Sequence, residues 1–256
     1  MISFKKYKLV ILLVGMLSCS ENEDPEISNI PFIEFHKITY SKGNGIPINY
    51  DTIKVSFYVT DGDFDLGLEL PVVEPFHWKW YYLKTTNTRI SNLRVESGEY
   101  KINQLISYKD RHLSIYDTLP KFETPYDCTN WEIKRNTNFE PTDTVYFQSN
   151  ENYYNIFIDI YEFDQNQNWT LFDWSIFKYP GCYSTFNGRF APPNKIDFPY
   201  PLKIENISRN KILMTYSLSS RIWFYYFKPK VKFKVRIKDR ALNDSNEIET
   251  PEVLIQ

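Results

Sequence analysis

Apolar positions in this chain alternate with polar ones far more often than they recur at helical spacing. Ile53, Val55, Phe57 and Val59 interleave with Lys54, Ser56, Tyr58 and Thr60. Val231, Phe233, Val235 and Ile237 interleave with Lys232, Lys234, Arg236 and Lys238. A period of two puts one set on a buried face and the other on a wetter one, so both segments read as half-exposed antiparallel strands, the second with a basic outer face. Further runs rich in Ile, Val, Tyr, Phe and Thr, broken by Asn, Asp, Pro and Ser, predict strands at 32–40, 78–83, 113–116, 153–163, 171–177 and 211–217. Many short strands with turn signals between them place the chain in the all-β class, as one or two antiparallel β-sandwiches.

The punctuation suggests a division. Residues 118–144 hold Pro120, Pro125 and Pro141 among many polar residues, which suits a linker or a long loop at 119–144 between a sandwich at 31–118 and a second at 145–256. One sandwich carrying a long insertion is the alternative. Residues 179–201 contain five prolines and read as loop, because Pro is excluded from central strands.

The start of the chain has a different pattern. Lys5, Lys6 and Lys8 precede the apolar run LVILLVGML, which ends at Ser18 and Cys19. A basic start, a short apolar stretch and a small residue are the layout of an export signal, and the run is too short for a membrane-spanning helix of about 20 residues. Residues 1–18 are therefore expected to be a signal peptide. Residues 19–30, with Glu21, Glu23, Asp24 and Glu26, are expected to form an acidic tether.

The run Met16-Leu17-Ser18-Cys19 resembles the lipobox of bacterial lipoproteins, with Met where Leu is commoner. The resemblance implies cleavage before Cys19 and lipidation of that residue, and multiple acyl chains give stable anchoring. Ser20 in place of Asp, followed by the acidic tether, is similar to the signal that sends Bacteroidota-type lipoproteins to the outer membrane and onto the cell surface. A periplasm-facing anchor is the alternative. The segment VRIKDRALNDSNEIETPEV resembles the last hairpin of bacterial immunoglobulin-like and fibronectin-III-like domains. VTDGDFDLG resembles a strand-end motif of uncharacterised Bacteroidota-type surface lipoproteins. The implied fold is immunoglobulin-like, and the resemblance carries no activity with it.

Charge and composition narrow the function. The 30 Lys+Arg against 32 Asp+Glu leave no concentrated basic face for nucleic acid, and 18% aromatic content argues against disorder. Cys19 is taken by lipid in this reading. Cys128 and Cys182 are then either a disulfide, stabilising by about 4 kcal/mol in the chain-entropy model, or two separate thiols.

Asp61, Asp63 and Asp65 place three carboxylates at alternate positions, the way a Ca²⁺ loop begins. The helix-loop-helix version is incomplete, since Gly67 falls one position late and Val72 stands where its closing Glu would be. A structural Ca²⁺ is the one cofactor these residues suggest; a solvated acidic turn is the other reading. The segment 164–168, with Asp164, Asn166 and Asn168, is a further donor candidate.

Trp78, Trp80 and Tyr82 share one strand face, as do Trp223, Tyr225 and Phe227, either as core or as a platform for a glycan or a protein partner. Thr52, Thr118 and Thr144 each lie in an Asp-Thr-aliphatic tripeptide that resembles the O-glycosylation signal of Bacteroidota-type envelopes. No GxSxG, HExxH, GxGxxG or P-loop sequence occurs. A hydrolase would need convergent carboxylates, with Asp159, Glu162, Asp164 and Asp173 as candidates. The expectation is a non-catalytic, lipid-anchored envelope module that binds an unidentified protein or glycan.

Overall fold

The computed structural model describes residues 27–43, 51–69, 71–121, 130–174, 186–193, 202–208, 210–220 and 227–255. Among the described residues there are thirteen strands: β1 (Phe32–Ser41), β2 (Asp51–Thr60), β3 (Lys79–Tyr82), β4 (Arg89–Ser91), β5 (Trp131–Arg135), β6 (Pro141–Ser149), β7 (Ile156–Phe163), β8 (Trp169–Leu171), β9 (Leu202–Ser208), β10 (Lys211–Ser220), β11 (Lys230–Ile237), β12 (Ile248–Glu249) and β13 (Val253–Leu254). One short helix, α1 (Asn92–Glu96), and two 3-10 turns at 102–104 and 108–112 accompany them. No helix among the described residues is long and apolar enough to cross a membrane.

The strands form three antiparallel sheets, ordered β1-β2-β10-β9, β12-β11-β7-β8 with β13 also on β11, and β4-β3-β6-β5. The first two pack face to face as a β-sandwich. Alternation is what brings them together: Ile53, Val55, Phe57 and Val59 of β2 and Ile212, Met214 and Leu218 of β10 meet Ile156, Ile158 and Ile160 of β7 and Val231, Phe233, Val235 and Ile237 of β11 in one buried cluster. Each such side chain stabilises the fold by about 1.5–3 kcal/mol when fully buried. The edge is closed by Asn246, whose side-chain amide accepts from the Ile33 N–H at 2.7 Å and donates to the Ile33 carbonyl at 2.9 Å, much as a neighbouring strand would.

The sandwich core draws on β1, β2, β7 and β9–β13, so it spans both expected domains. The third sheet lies between β2 and β7 in the chain and has two smaller clusters of its own, around Tyr81, Leu105 and Phe147 and around Ile106, Trp131 and Tyr146. The core is thus organised as one sandwich with an inserted sheet rather than two successive sandwiches. The stretch 119–144 carries β5 and the opening of β6. Two of its prolines sit beside and within these strands: Trp131 donates its indole N–H to the Pro120 carbonyl at 2.8 Å, and Pro141 opens β6.

Other expectations need correction. Residues 113–116 form turns, not a strand, because Tyr116 is buried by backbone turns and donates its hydroxyl to the Lys84 carbonyl at 2.7 Å. The strand expected at 171–177 ends at Leu171, and 175–177 lie outside the described residues.

Candidate metal centre

The chain leaves the sandwich at the end of β2 through Asp61-Gly62-Asp63-Phe64-Asp65-Leu66-Gly67. This loop is pinned at both ends. The Asp61 N–H donates to the Asn210 carbonyl at 3.1 Å and the Gly62 N–H to the Ser28 carbonyl at 2.8 Å. At the far end the Leu68 N–H donates to the Phe190 carbonyl at 2.8 Å, and Gly67 has φ +85° with its α-carbon against the backbone of Ala191, where a side chain would collide. Phe64, at φ +57°, turns the chain between the second and third carboxylates.

The winding brings the three carboxylates together, with one oxygen from each of Asp61, Asp63 and Asp65 within 4.8 Å of the others. Asp63 is exposed, Asp65 half-buried and Asp61 fully buried. Neither carboxylate oxygen of Asp61 has a hydrogen-bond partner, nor does Oδ1 of Asp65. Burial first, and then the charges of Asp63, Asp65 and Asp239, push the Asp61 carboxyl up to about 7. Burial and the charges of Asp239 and Asp63 also raise Asp65.

Asp239 could not be placed here from the sequence. It follows β11, on the opposite sheet and far along the chain, and is buried beside the loop. Its carboxylate accepts from the Asn243 N–H at 2.7 Å and side-chain amide at 2.9 Å. The next residue, Arg240, donates its backbone N–H and its Nε–H to the Asp65 carbonyl at 3.1 and 3.0 Å. The segment 164–168 is used elsewhere: Asp164 Oδ1 accepts from the Asn166 and Asn168 N–H groups and caps the β7–β8 turn.

A second buried charge cluster, on the inserted sheet, was missed by sequence reasoning. Lys79 Nζ lies 2.6 Å from Glu132 Oε2, the Tyr81 hydroxyl donates to the same oxygen at 2.5 Å, and Lys134 Nζ donates to Glu132 Oε1 at 2.9 Å and to the Tyr81 hydroxyl at 2.7 Å. Burial pushes the Lys79 ammonium down from its usual value, against the Glu132 bond. Burial alone would raise Glu132, but hydrogen bonds from Lys79 and Tyr81 and the charge of Lys134 bring it below its ordinary value. Lys134 also borders a shallow groove with Val95, Glu96, Tyr100 and Ile102.

Trp80 and Tyr82 lie half-buried at alternate positions of β3, whereas Trp78, also half-buried, precedes the strand with Lys79 Nζ 4.2 Å over its ring. Tyr82 packs at 5.4 Å from Tyr146 and bonds Gln148, while the Arg89 guanidinium sits 4.7 Å over the Trp80 ring. His77 packs edge-on against Trp80 at 3.9 Å. Thr52 lies within β2 with its hydroxyl 3.0 Å from that of Ser219. Thr118 is exposed in a turn, whereas Thr144, expected in a loop, is half-buried within β6 and paired with Ile133. Asp159 and Glu162 point to opposite faces of β7, and Glu162 accepts from the Lys228 N–H at 2.7 Å, so these two do not form a pair. Cys19, Cys128, Cys182, Trp223 and Tyr225 lie outside the described residues.

The basic outer face of β11 is not a free cationic surface. Lys232 pairs with Glu249, Lys234 with Glu247 and Arg236 with Asp244, at 2.7, 2.7 and 2.6 Å. Lys232 also lies 4.8 Å over Trp169 and Arg236 3.8 Å over Phe157. Comparisons of the chain with protein-family models, curated proteins and solved structures find no match.

Proposed function

We propose that the protein is a lipid-anchored envelope protein, held at the outer membrane through Cys19 and facing the cell exterior, that serves as a non-catalytic binding or structural module. The observation that carries this reading is the run Met16-Leu17-Ser18-Cys19 behind a basic, apolar leader, with an acidic spacer before the first strand at Phe32. A β-sandwich held on such a spacer supports the reading in a second way, because its inserted sheet is a separate element free to differ from the scaffold beneath it. Replacing Cys19 by Ala is expected to abolish incorporation of labelled palmitate and to remove the chain from the outer-membrane fraction. Retention in that fraction would sink the anchor. Protease treatment of intact cells then separates outward display, in which the chain is digested, from a periplasmic face, in which it is protected until the outer membrane is opened.

A second reading, glycan capture, is favoured by one feature of the inserted sheet. Half-buried Trp80 and Tyr82 and exposed Gln148 form an aromatic and polar strip flanked by Arg89, the mixture of flat apolar rings and hydrogen-bonding groups that suits a sugar ring. Binding to a glycan array that is lost in Trp80→Ala, with the thermal midpoint unchanged, supports it. Equal binding by the two proteins would discard it.

A further inference from the structure

We infer that Asp61, Asp63 and Asp65 bind one divalent cation of the Ca²⁺ class, at the end of the sandwich where β2 hands the chain to the inserted sheet.

Two observations that do not depend on each other lead there. The first is spacing: two oxygens on one Ca²⁺ can lie no farther apart than twice its 2.3–2.6 Å bond, or about 5 Å. Oxygens from all three carboxylates fall within 4.8 Å of one another. The second is the state of Asp61. Its side chain has no solvent exposure, and with the carboxylates ionised neither oxygen has a hydrogen-bond donor, its close neighbour being the like-charged Asp63, which it can bond only by keeping a proton. A buried carboxylate without partners is costly, and either a retained proton or a bound cation relieves that cost. Asp65 Oδ1 is a third enclosed oxygen without a partner, in the same cluster.

The charge of Arg240 offsets the like charges only in part, at Asp65. The Arg240 guanidinium is turned to the backbone carbonyl of Asp65. Asp239 adds a fourth negative charge, and its oxygens are both engaged by Asn243. It therefore strengthens the negative field at the site. All donors are oxygens, which selects a hard cation, and the ring of carboxylates with an open side at Asp63 leaves room for waters. Mg²⁺ binds such flexible, unevenly buried ligands less well, because it demands near-ideal octahedral geometry.

The cation has a mechanical role. Asp61 follows a strand of one sheet, and Asp65 is tied through its carbonyl to Arg240, just past the end of a strand of the other. A cation on Asp61 and Asp65 braces the two sheets where the inserted sheet departs. Sites of this kind in extracellular modules have dissociation constants of about 10⁻⁴–10⁻³ M. This inference does not depend on where the protein is anchored.

The test uses full-length protein in detergent, stripped with EDTA. Addition of CaCl₂ to about ten times the dissociation constant is expected to raise the thermal midpoint by about 3–6 °C, reversibly with EDTA. MgCl₂ at the same concentration is expected to give less than half that shift, and NaCl at matched ionic strength none. Asp61→Asn, which keeps the shape and removes the charge, is expected to lose the Ca²⁺ shift. Should that variant fail to fold, Asp63→Asn at the exposed position is expected to leave the EDTA midpoint unchanged and weaken calorimetric Ca²⁺ affinity at least tenfold. Absence of a Ca²⁺ shift in the parent protein, an equal shift with NaCl, or unaltered affinity in Asp63→Asn would overturn the assignment and leave Asp61 as a buried protonated carboxyl.

Discussion

Two clusters of enclosed charge sit at opposite poles of chemical completeness. On the inserted sheet, Lys79, Lys134 and Tyr81 converge on Glu132, and each donor finds an acceptor within 2.9 Å. At the end of β2, Asp61, Asp63 and Asp65 face one another and Asp239 with no cation among them, and three enclosed oxygens have no partner. Both clusters are costly to desolvate. The first offsets that cost with its own side chains and calls for no ligand. The second consists of one sign of charge and offsets it only with something from outside or with a proton. The difference shows how to read buried charge: mixed sign with short hydrogen bonds indicates architecture, whereas like sign with orphaned oxygens indicates a binding site.

That contrast can be broken by substitution. The largest effect is expected for Glu132→Gln, which leaves Lys79 enclosed with its charge uncompensated. With Glu132 itself partly exposed, the loss should be about 2–3 kcal/mol, below the 3–5 kcal/mol of a fully enclosed pair, and is measurable by urea denaturation. The matching change at the other pole, Asp61→Asn in EDTA, is expected to cost far less, because it removes a repelled charge and not a satisfied one. A loss as large as that of Glu132→Gln would mean that Asp61 is paired in a way the contrast denies.

Dependence on pH sharpens the comparison, since the two clusters are expected to act in opposite directions. Asp61 is raised from the usual carboxylate value of 3.8 to about 7. In metal-free protein its contribution is therefore fully present below about 3.8 and is lost as pH rises towards and through about 7. Glu132 is depressed, so its contribution is present above its ordinary value of 4.5 and is lost as pH falls through the lower folded value. Denaturation in EDTA across pH 3–8 should show the neutral-side decline vanish in Asp61→Asn and the acid-side decline soften in Glu132→Gln. The smallest effect is expected on the outer face of β11, where Arg236 is over a third exposed and paired with both Asp244 and the Phe157 ring. Arg236→Ala should cost about 0.5–1 kcal/mol, and less in high salt.

How much of this was legible beforehand follows from distance along the chain. The sandwich strands were readable because their signals are local: β2 and β11 appear where the period of two places them and β10 where a β-rich run does, and the all-β sandwich class with them. The three carboxylates were readable because they are contiguous. Asp239 and the Lys79–Glu132 pair were not, since the first joins the loop from a different sheet and the second links β3 to β5 across 53 positions of sequence. The inserted sheet was obscured for another reason. Its strand β4 is too short to show alternation, and β5 and the opening of β6 are embedded in a proline-bearing, polar stretch whose composition reads as loop. For the aromatic row, period alone could not say that Trp80 and Tyr82 are half-buried or that Trp78 falls before the strand.

The central claim, that the carboxylates at the end of β2 form a cation site, is tested most directly by determining a crystal structure from protein grown in millimolar CaCl₂. The account predicts a single cation with oxygens of Asp61, Asp63 and Asp65 at 2.3–2.6 Å, completed by water on the Asp63 side. A well-ordered loop in which Asp61 shares a proton with a neighbouring carboxylate, with no cation between them at that concentration, would contradict it.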